Sequence, residues 1–274
     1  MTLLDLTFST PAENLACDEA LLDFFENNGG DGALRFWAPE NYFVVVGYAN
    51  HVQKEVNVAE CESENVPIFR RCSGGGTVLQ GPGCLNYSLI MRIEENGPLR
   101  SITSANQFIM ERNRAAIQSS SSRREEAPIQ GSESLVASAA TIKIRGCSDI
   151  TLDPRPLGAP KRSEGGSTLD PALKFSGNAQ RRKKQFLLFH GTFLLQFDIP
   201  LIDKFLRMPS KEPDYREGRS HGNFLTNLDL PAEAVKRALR EAWGAQVPLE
   251  VVPHDEIALL ARDKYVTKEW NFKF

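Results

Sequence analysis

Arg70-Arg71-Cys72-Ser73-Gly74-Gly75-Gly76-Thr77-Val78, followed much later by Lys174-Phe175-Ser176-Gly177-Asn178-Ala179-Gln180 and His190-Gly191-Thr192, is the sequence on which the fold turns. A short strand is expected over 67–71, running into the glycine turn, with its return over 84–92. Glycines beside arginines offer bare backbone N–H groups and fixed positive charge, a seat for phosphate. The glycine spacing is neither that of a Walker loop nor that of the dinucleotide fingerprint. Side chains alternate along a strand, so Arg70 and Arg71 point to opposite faces; Arg71, nearer the turn, is expected at the pocket. Ser73 adds a hydroxyl, and Gly81-Pro82-Gly83 a second turn.

Lys174 lies between Leu173 and Phe175. On a strand with apolar neighbours its ammonium is partly desolvated and acts strongly on an acyl carbonyl or a phosphate. Ser176-Gly177 lets a ligand approach the backbone. Of the basic run 181–184, residues 182–184 read as a solvated turn, and Arg181 is close enough to face the site. His190 reads as a core histidine with one satisfied nitrogen. His221, in a polar loop, is expected to be exposed. Neither histidine is placed as a general base on spacing alone. The cysteines, Cys17, Cys61, Cys72, Cys84 and Cys147, are odd in number and form no CxxC pair. That argues against a disulfide scaffold and a zinc cluster, and fits a reducing cytoplasm. Cys72 and Cys147 are the best placed as nucleophiles, but burial as a small hydrophobe is expected for each.

Further out, residues 12–27 read as a helix stopped by Asn28-Gly29-Gly30, and 33–37 and 42–47 as strands. A helix is expected over 101–118, then an exposed, mobile serine-rich loop over 119–126. Short strands are expected at 142–144 and 150–152, and an irregular insertion over 154–171. Two strands, 186–189 and 192–197, should flank His190-Gly191, with helices over 231–243 and 254–263 closing the chain. This mixture lacks a regular βαβ alternation, so the expected class is α+β, with a mixed, largely antiparallel central sheet flanked by helices. The 274 residues are 41% hydrophobic, enough for a large core, and the net charge of -3 gives no basic excess for nucleic acid. No apolar run reaches the length of about 18 residues that marks a membrane helix.

The segments at 14–22, 70–78, 81–83, 85–88, 146–152, 174–180 and 190–192, with Lys264-Tyr265 and Glu269-Trp270-Asn271 near the end, together resemble the lipoate–protein ligase A family. Its superfamily also holds octanoyltransferases and biotin ligases. The resemblance implies a single catalytic domain over 1–274 of the class II synthetase and biotin–lipoate ligase type. Insertions would lie near 119–138 and 154–171, and the accessory C-terminal domain of long ligases would be missing. It implies ATP and magnesium, with lipoate as substrate, forming lipoyl-adenylate. The acyl group then passes to a lysine of a lipoyl domain of a 2-oxoacid dehydrogenase or of glycine cleavage protein H. A separate accessory protein is a further possible partner. By resemblance, Lys174 contacts the acyl carbonyl and phosphate. Arg71, Ser73, Gly74, Gly75, Gly76 and Val78 line the acyl-adenylate pocket, and Ser176, Gly177, Ala179, Arg181, His190 and Thr192 its second half. Gln80 and Asn86 would meet the nucleotide, Asn86 also the metal. Two positions depart from the ligase pattern: Gln80 stands where ligases carry histidine, and Cys84 where they carry asparagine.

An octanoyltransferase, taking its acyl group from acyl carrier protein through a cysteine thioester, is the alternative. Such relatives carry the cysteine several residues ahead of the pair matched by Asp149-Ile150. That register puts Thr141 at the spot, with Cys147 much closer to the pair. They also show Thr-Gly-Gly-Arg where this chain has Ser73-Gly74-Gly75-Gly76. Both points favour the ligase as the main expectation. A non-catalytic binder of carrier proteins is the third reading.

Overall fold

The computed structural model describes residues 1–125, 141–153 and 172–274. Its strands are β1 (Thr2–Asp5), β2 (Ala33–Trp37), β3 (Phe43–Val46), β4 (Ile68–Arg70), β5 (Val78–Gln80), β6 (Cys84–Arg92), β7 (Thr141–Arg145), β8 (Asp149–Asp153), β9 (Leu173–Arg182), β10 (Phe186–Leu194) and β11 (Val247–Pro248). Eight form one sheet in the order β11-β1-β2-β6-β10-β9-β8-β7, and β4-β3-β5 form a second. In the large sheet β1 runs parallel to β11 and β2, and every other neighbouring pair is antiparallel. The class is thus the expected α+β with a mixed, largely antiparallel sheet.

The β1–β2 crossover is the helix Pro11–Asn28. Thr10 caps it in a reciprocal box with Glu13, Pro11 opens its first turn, and Gly29 closes it. The central strands β2 and β6 of the large sheet are buried on both faces, and period-two alternation sorts their side chains and those of β10. Leu34, Phe36, Leu85, Tyr87, Leu89, Phe189 and Phe193 pack against the helices Ile102–Glu125 and Ala232–Trp243. Ala33, Trp37, Ile90 and Leu188 pack against Pro11–Asn28 and His254–Leu260. The small sheet joins the helix Pro200–Phe205 in a third apolar cluster around Val44, Val46, Leu79 and Phe205.

Three expectations need correction. The serine tract does not leave the helix, which runs to Glu125. Ser119 and Ser121 instead donate to the carbonyls of Ala115 and Ile117, four residues back, which lets serine sit inside a helix. β10 is one unbroken strand through His190-Gly191. The helix expected over 254–263 ends at Leu260 and continues as a π-helical turn, Ala261–Tyr265, and a short helix, Lys268–Asn271, follows it. The remainder of the first expected insertion, and all of 154–171, lie outside the described residues. Among the described residues no helix is long and apolar enough to cross a membrane.

Candidate active site

The glycine bend forms between β4 and β5. Gly75 sits at φ 88°, a conformation natural to glycine. Arg71 turns its guanidinium back into this bend. Nη2 donates to the carbonyls of Gly74 (2.6 Å) and Gly76 (2.7 Å), and Nε to Ser73 Oγ and Gly74 O, both at 3.1 Å. Nη1 reaches Val45 O at 3.4 Å. The charge expected to meet phosphate is therefore largely engaged in shaping the loop, and burial lowers its pKa to about 10. Gly74, Gly75 and Gly76 are exposed, and among the described residues their amides have no hydrogen-bond acceptor. Arg70 points the other way, fully buried, its guanidinium donating to the carbonyls of Gly47, Tyr48, Asn50, Trp270 and Asn271.

Alternation along β2, β6 and β10 sets Arg35, Ser88 and His190 on the face covered by Pro11–Asn28, where they meet Asp18. Asp18 Oδ1 accepts from Arg35 Nη1 (2.6 Å) and Ser88 Oγ (2.7 Å), and its Oδ2 lies 2.9 Å from His190 Nδ1. His190 Nε2 lies 2.5 Å from Ser73 Oγ. Arg71 already donates to Ser73 Oγ, so the hydroxyl proton is assigned to His190 Nε2, and the ring's own N–H, on Nδ1, to Asp18. Burial pushes the Asp18 carboxyl up. Arg35, His190 and Ser88 outweigh it and hold the pKa below the usual carboxylate value. Serine, histidine and aspartate occur here in the order of a nucleophilic triad. Ser73 is only 1% exposed and does not line the cavity, so the chain braces the bend and presents no nucleophile. A second closed set joins Gln80, Asn86 and Thr192: Gln80 donates to Thr192 Oγ1, Thr192 to Asn86 Oδ1, and Asn86 to Gln80 Oε1.

Lys174 is aimed by an irregularity. Between Ile150 and Thr151, β9 advances two residues while β8 advances one, so β9 carries the extra residue of a bulge. Such bulges re-aim side chains beside sites. Lys174 Nζ lies 2.8 Å from Asp149 Oδ1, and Asp149 Oδ2 accepts from Tyr215 OH at 2.7 Å. The β7–β8 hairpin turn, Gly146-Cys147-Ser148, stands next to this pair. Cys147 is exposed, whereas the other cysteines are buried as expected. Burial pushes Cys17, Cys61 and Cys72 up to about 11 and Cys84 to about 12, which keeps them as inert thiols. Thr141, the position favoured by register, begins β7 opposite Asp153, the far end of the hairpin from the turn, and does not line the cavity.

These elements meet around one cavity of about 680 Å³. Every residue expected at the site lines it except Ser73, Gly74 and Arg181. Arg181 instead pairs with Glu19 at 2.7 Å, alongside Lys264 and Tyr265. The sequence reading missed Asp18, Asp149, Tyr215 and His221, all of which line the cavity. His221 is buried, not exposed, with Nδ1 2.7 Å from Asp203 Oδ1. Its polar neighbours carried no signal of this, because the contact that buries it comes from the Pro200–Phe205 helix. Among the described residues no three His, Cys, Asp or Glu side chains gather as metal ligands.

A family model described as the lipoyl protein ligase A/B catalytic domain matches residues 10–243. The chain is 26% identical over 278 residues to the octanoyltransferase LipM of Halalkalibacterium halodurans, covering 96% of this chain and 95% of that relative. A crystal structure of a lipoate-protein ligase A bound with ATP matches with TM-score 0.67 at 23% identity, over 99% of this chain and 98% of that one. A bipartite lipoate protein ligase of Thermoplasma acidophilum, studied with its E2 lipoyl domain, matches with TM-score 0.66 at 22% identity, over 99% and 96% of the two chains. The structural matches speak to the fold. The curated relative carries the name of the octanoyltransferase alternative, not that of the ATP-dependent ligase.

Proposed function

Because this chain belongs to the lipoyl protein ligase A/B catalytic domain family, we propose that it moves an octanoyl group from a carrier thioester to the ε-amine of a lipoyl-domain lysine, by way of a thioester on Cys147. The observation that carries this reading is the exposed Cys147 thiol on the cavity that holds Lys174. The similarity to octanoyltransferases supports the donor. The Cys147 sulfur attacks the thioester carbonyl as its thiol gives up its proton, the carrier's C–S bond breaks, and the departing carrier sulfur takes up that proton. The acceptor amine then attacks the new thioester, the N–C bond forms, and the electron pair of the C–S bond returns to Cys147 sulfur. Lys174 offsets the negative charge that grows on the carbonyl oxygen in both steps. Val45, Leu79, Leu194, Ile202 and Leu206 line the cavity and suit a fatty chain, each buried methylene contributing about 0.8 kcal/mol.

The test supplies octanoyl-acyl carrier protein and a lipoyl domain without ATP. The domain becomes octanoylated, Cys147→Ala abolishes the reaction, and Lys174→Ala slows it by roughly 10²–10³-fold, the scale of one oxyanion donor. Transfer by Cys147→Ala at the wild-type rate overturns the reading.

The open amides of Gly74–Gly76 favour a second reading, ATP-dependent activation of lipoate or octanoate, since such amides suit a phosphoryl group. Magnesium would then take its oxygens from phosphate and water; Asn86 Oδ1 could join them only by releasing the Thr192 hydroxyl. Pyrophosphate release that survives Cys147→Ala is the signature of that route. Glycine cleavage protein H is the other acceptor to assay.

A further inference from the structure

We propose that His221, oriented by Asp203, is the base that takes the proton from the acceptor lysine as its nitrogen joins the acyl carbon. This rests on the reading above only where both routes agree, that the acyl group ends on a lysine amine.

His221 opens the short helix His221–Phe224, is 7% exposed, and lines the same cavity as Lys174 and Cys147. Asp203 is itself fixed: its Oδ1 accepts from the backbone N–H of His221 at 3.3 Å, and its Oδ2 from that of Gly222 at 3.4 Å. With Nδ1–H committed to Asp203 at 2.7 Å, the ring's lone pair sits on Nε2. Among the described residues Nε2 has no hydrogen-bond partner. One helical turn on, Phe224 packs against Tyr215 with the rings tilted by 40° and their centroids 5.3 Å apart, and Tyr215 in turn holds Asp149, the partner of Lys174. The histidine is thereby registered against the lysine that faces the acyl carbonyl.

Three charged groups act on the ring: Asp203 from Pro200–Phe205 by direct contact, and Arg216 from the Asp214–Arg216 turn and Lys174 from β9 through their charge. Burial, then Arg216 and Lys174, outweigh the carboxylate and hold His221 below the ordinary histidine value. That direction favours the unprotonated ring that the role requires. In the step, the amine's N–C bond forms and its proton passes to Nε2. The C–S bond breaks towards Cys147 sulfur, and the imidazolium then returns the proton to that thiolate. On the nucleotide route the leaving group is the AMP phosphate, and the proton transfer is the same.

The experiment loads the enzyme with octanoyl-acyl carrier protein, isolates the octanoyl-enzyme, and follows its reaction with a lipoyl domain across pH. In His221→Gln, lysine acylation falls by roughly 10²–10⁴-fold, more than any loss in the loading of Cys147. Wild type shows an acid limb below the ordinary histidine value of about 6.5, and the variant lacks it. Added imidazole restores part of the rate. Retention of the wild-type rate and acid limb in His221→Gln overturns the proposal, as does an equal loss in both half-reactions. If wild type forms no octanoyl-enzyme, the thioester route fails, and the same comparison with lipoate and ATP decides on His221. Failure of wild type to acylate lysine by either route overturns both.

Discussion

Asp18 sits on a helix, yet β2, β6 and β10 all deliver a side chain to it. Arg35 and Ser88 bond one oxygen and His190 the other, so this carboxylate links the core to the glycine bend through Ser73. Replacing it by alanine strands a fully buried guanidinium, an uncompensated charge worth about 3–5 kcal/mol. The pH dependence has a definite sign. The folded pKa of Asp18 is depressed, so its stabilisation is fully present above the unfolded carboxylate value of 3.8 and is lost as pH falls through the lower folded value. Urea unfolding of wild type and Asp18→Asn across acidic pH should therefore show a gap that narrows as pH drops. A constant gap contradicts the assignment. Asp18 lies inside a segment that resembled the family. Its role could not be read there, because it is set by partners on three strands distant in sequence.

At the scale of elements, the Gly146-Cys147-Ser148 turn is held by a hydrogen-bond chain that starts in the core. Trp243 Nε1 donates to Asn113, Asn113 to Tyr87 OH, Tyr87 to Asn178 Oδ1, and Asn178 Nδ2 to the carbonyl of Ser148 at 2.8 Å. Gly191 makes room for this chain, since a Cβ there would lie 1.8 Å from Asn178 Oδ1. This explains why β10 continues through a glycine that the sequence reads as a break. Gly191→Ala and Asn178→Ala should both free the turn and slow loading of Cys147. The Asn178 loss should be at least tenfold, the scale expected when positioning slips by about an ångström. Stopped-flow loading with octanoyl-acyl carrier protein measures it; unchanged loading in Asn178→Ala contradicts this role. The serine tract misled in a similar way, because its hydroxyls bond back to the helix carbonyls.

Across the whole molecule, Arg70 joins the small sheet to the C-terminal segment. Its guanidinium collects carbonyls from 47–50 and 270–271, its N–H donates to Asn271, and Trp270 returns a bond to its carbonyl. Arg70→Met leaves the buried carbonyls of Gly47 and Asn271 unpaired at about 1–3 kcal/mol each, and the part-buried ones of Tyr48, Asn50 and Trp270 at less. We expect a loss of roughly 3 kcal/mol or more, read as a lowered urea midpoint at unchanged slope; a midpoint within error of wild type contradicts it. The fold class was legible because ordered motifs and apolar periodicity carry it locally. The two halves of the site were legible as motifs on β4–β5 and β9–β10. Asp203, Tyr215 and His221 were not, since they lie on short helical turns after β10 and reach the cavity only through tertiary packing.

The central claim is that an acyl group entering the cavity beside Lys174 becomes bonded to Cys147. Acid-quenched protein, mixed with octanoyl-acyl carrier protein and analysed by intact mass and peptide mapping, tests it directly. The account predicts one octanoyl group on the peptide containing Cys147, released by hydroxylamine and absent from Cys147→Ala. An octanoylated lipoyl domain formed with no acyl group ever detected on Cys147 would contradict it.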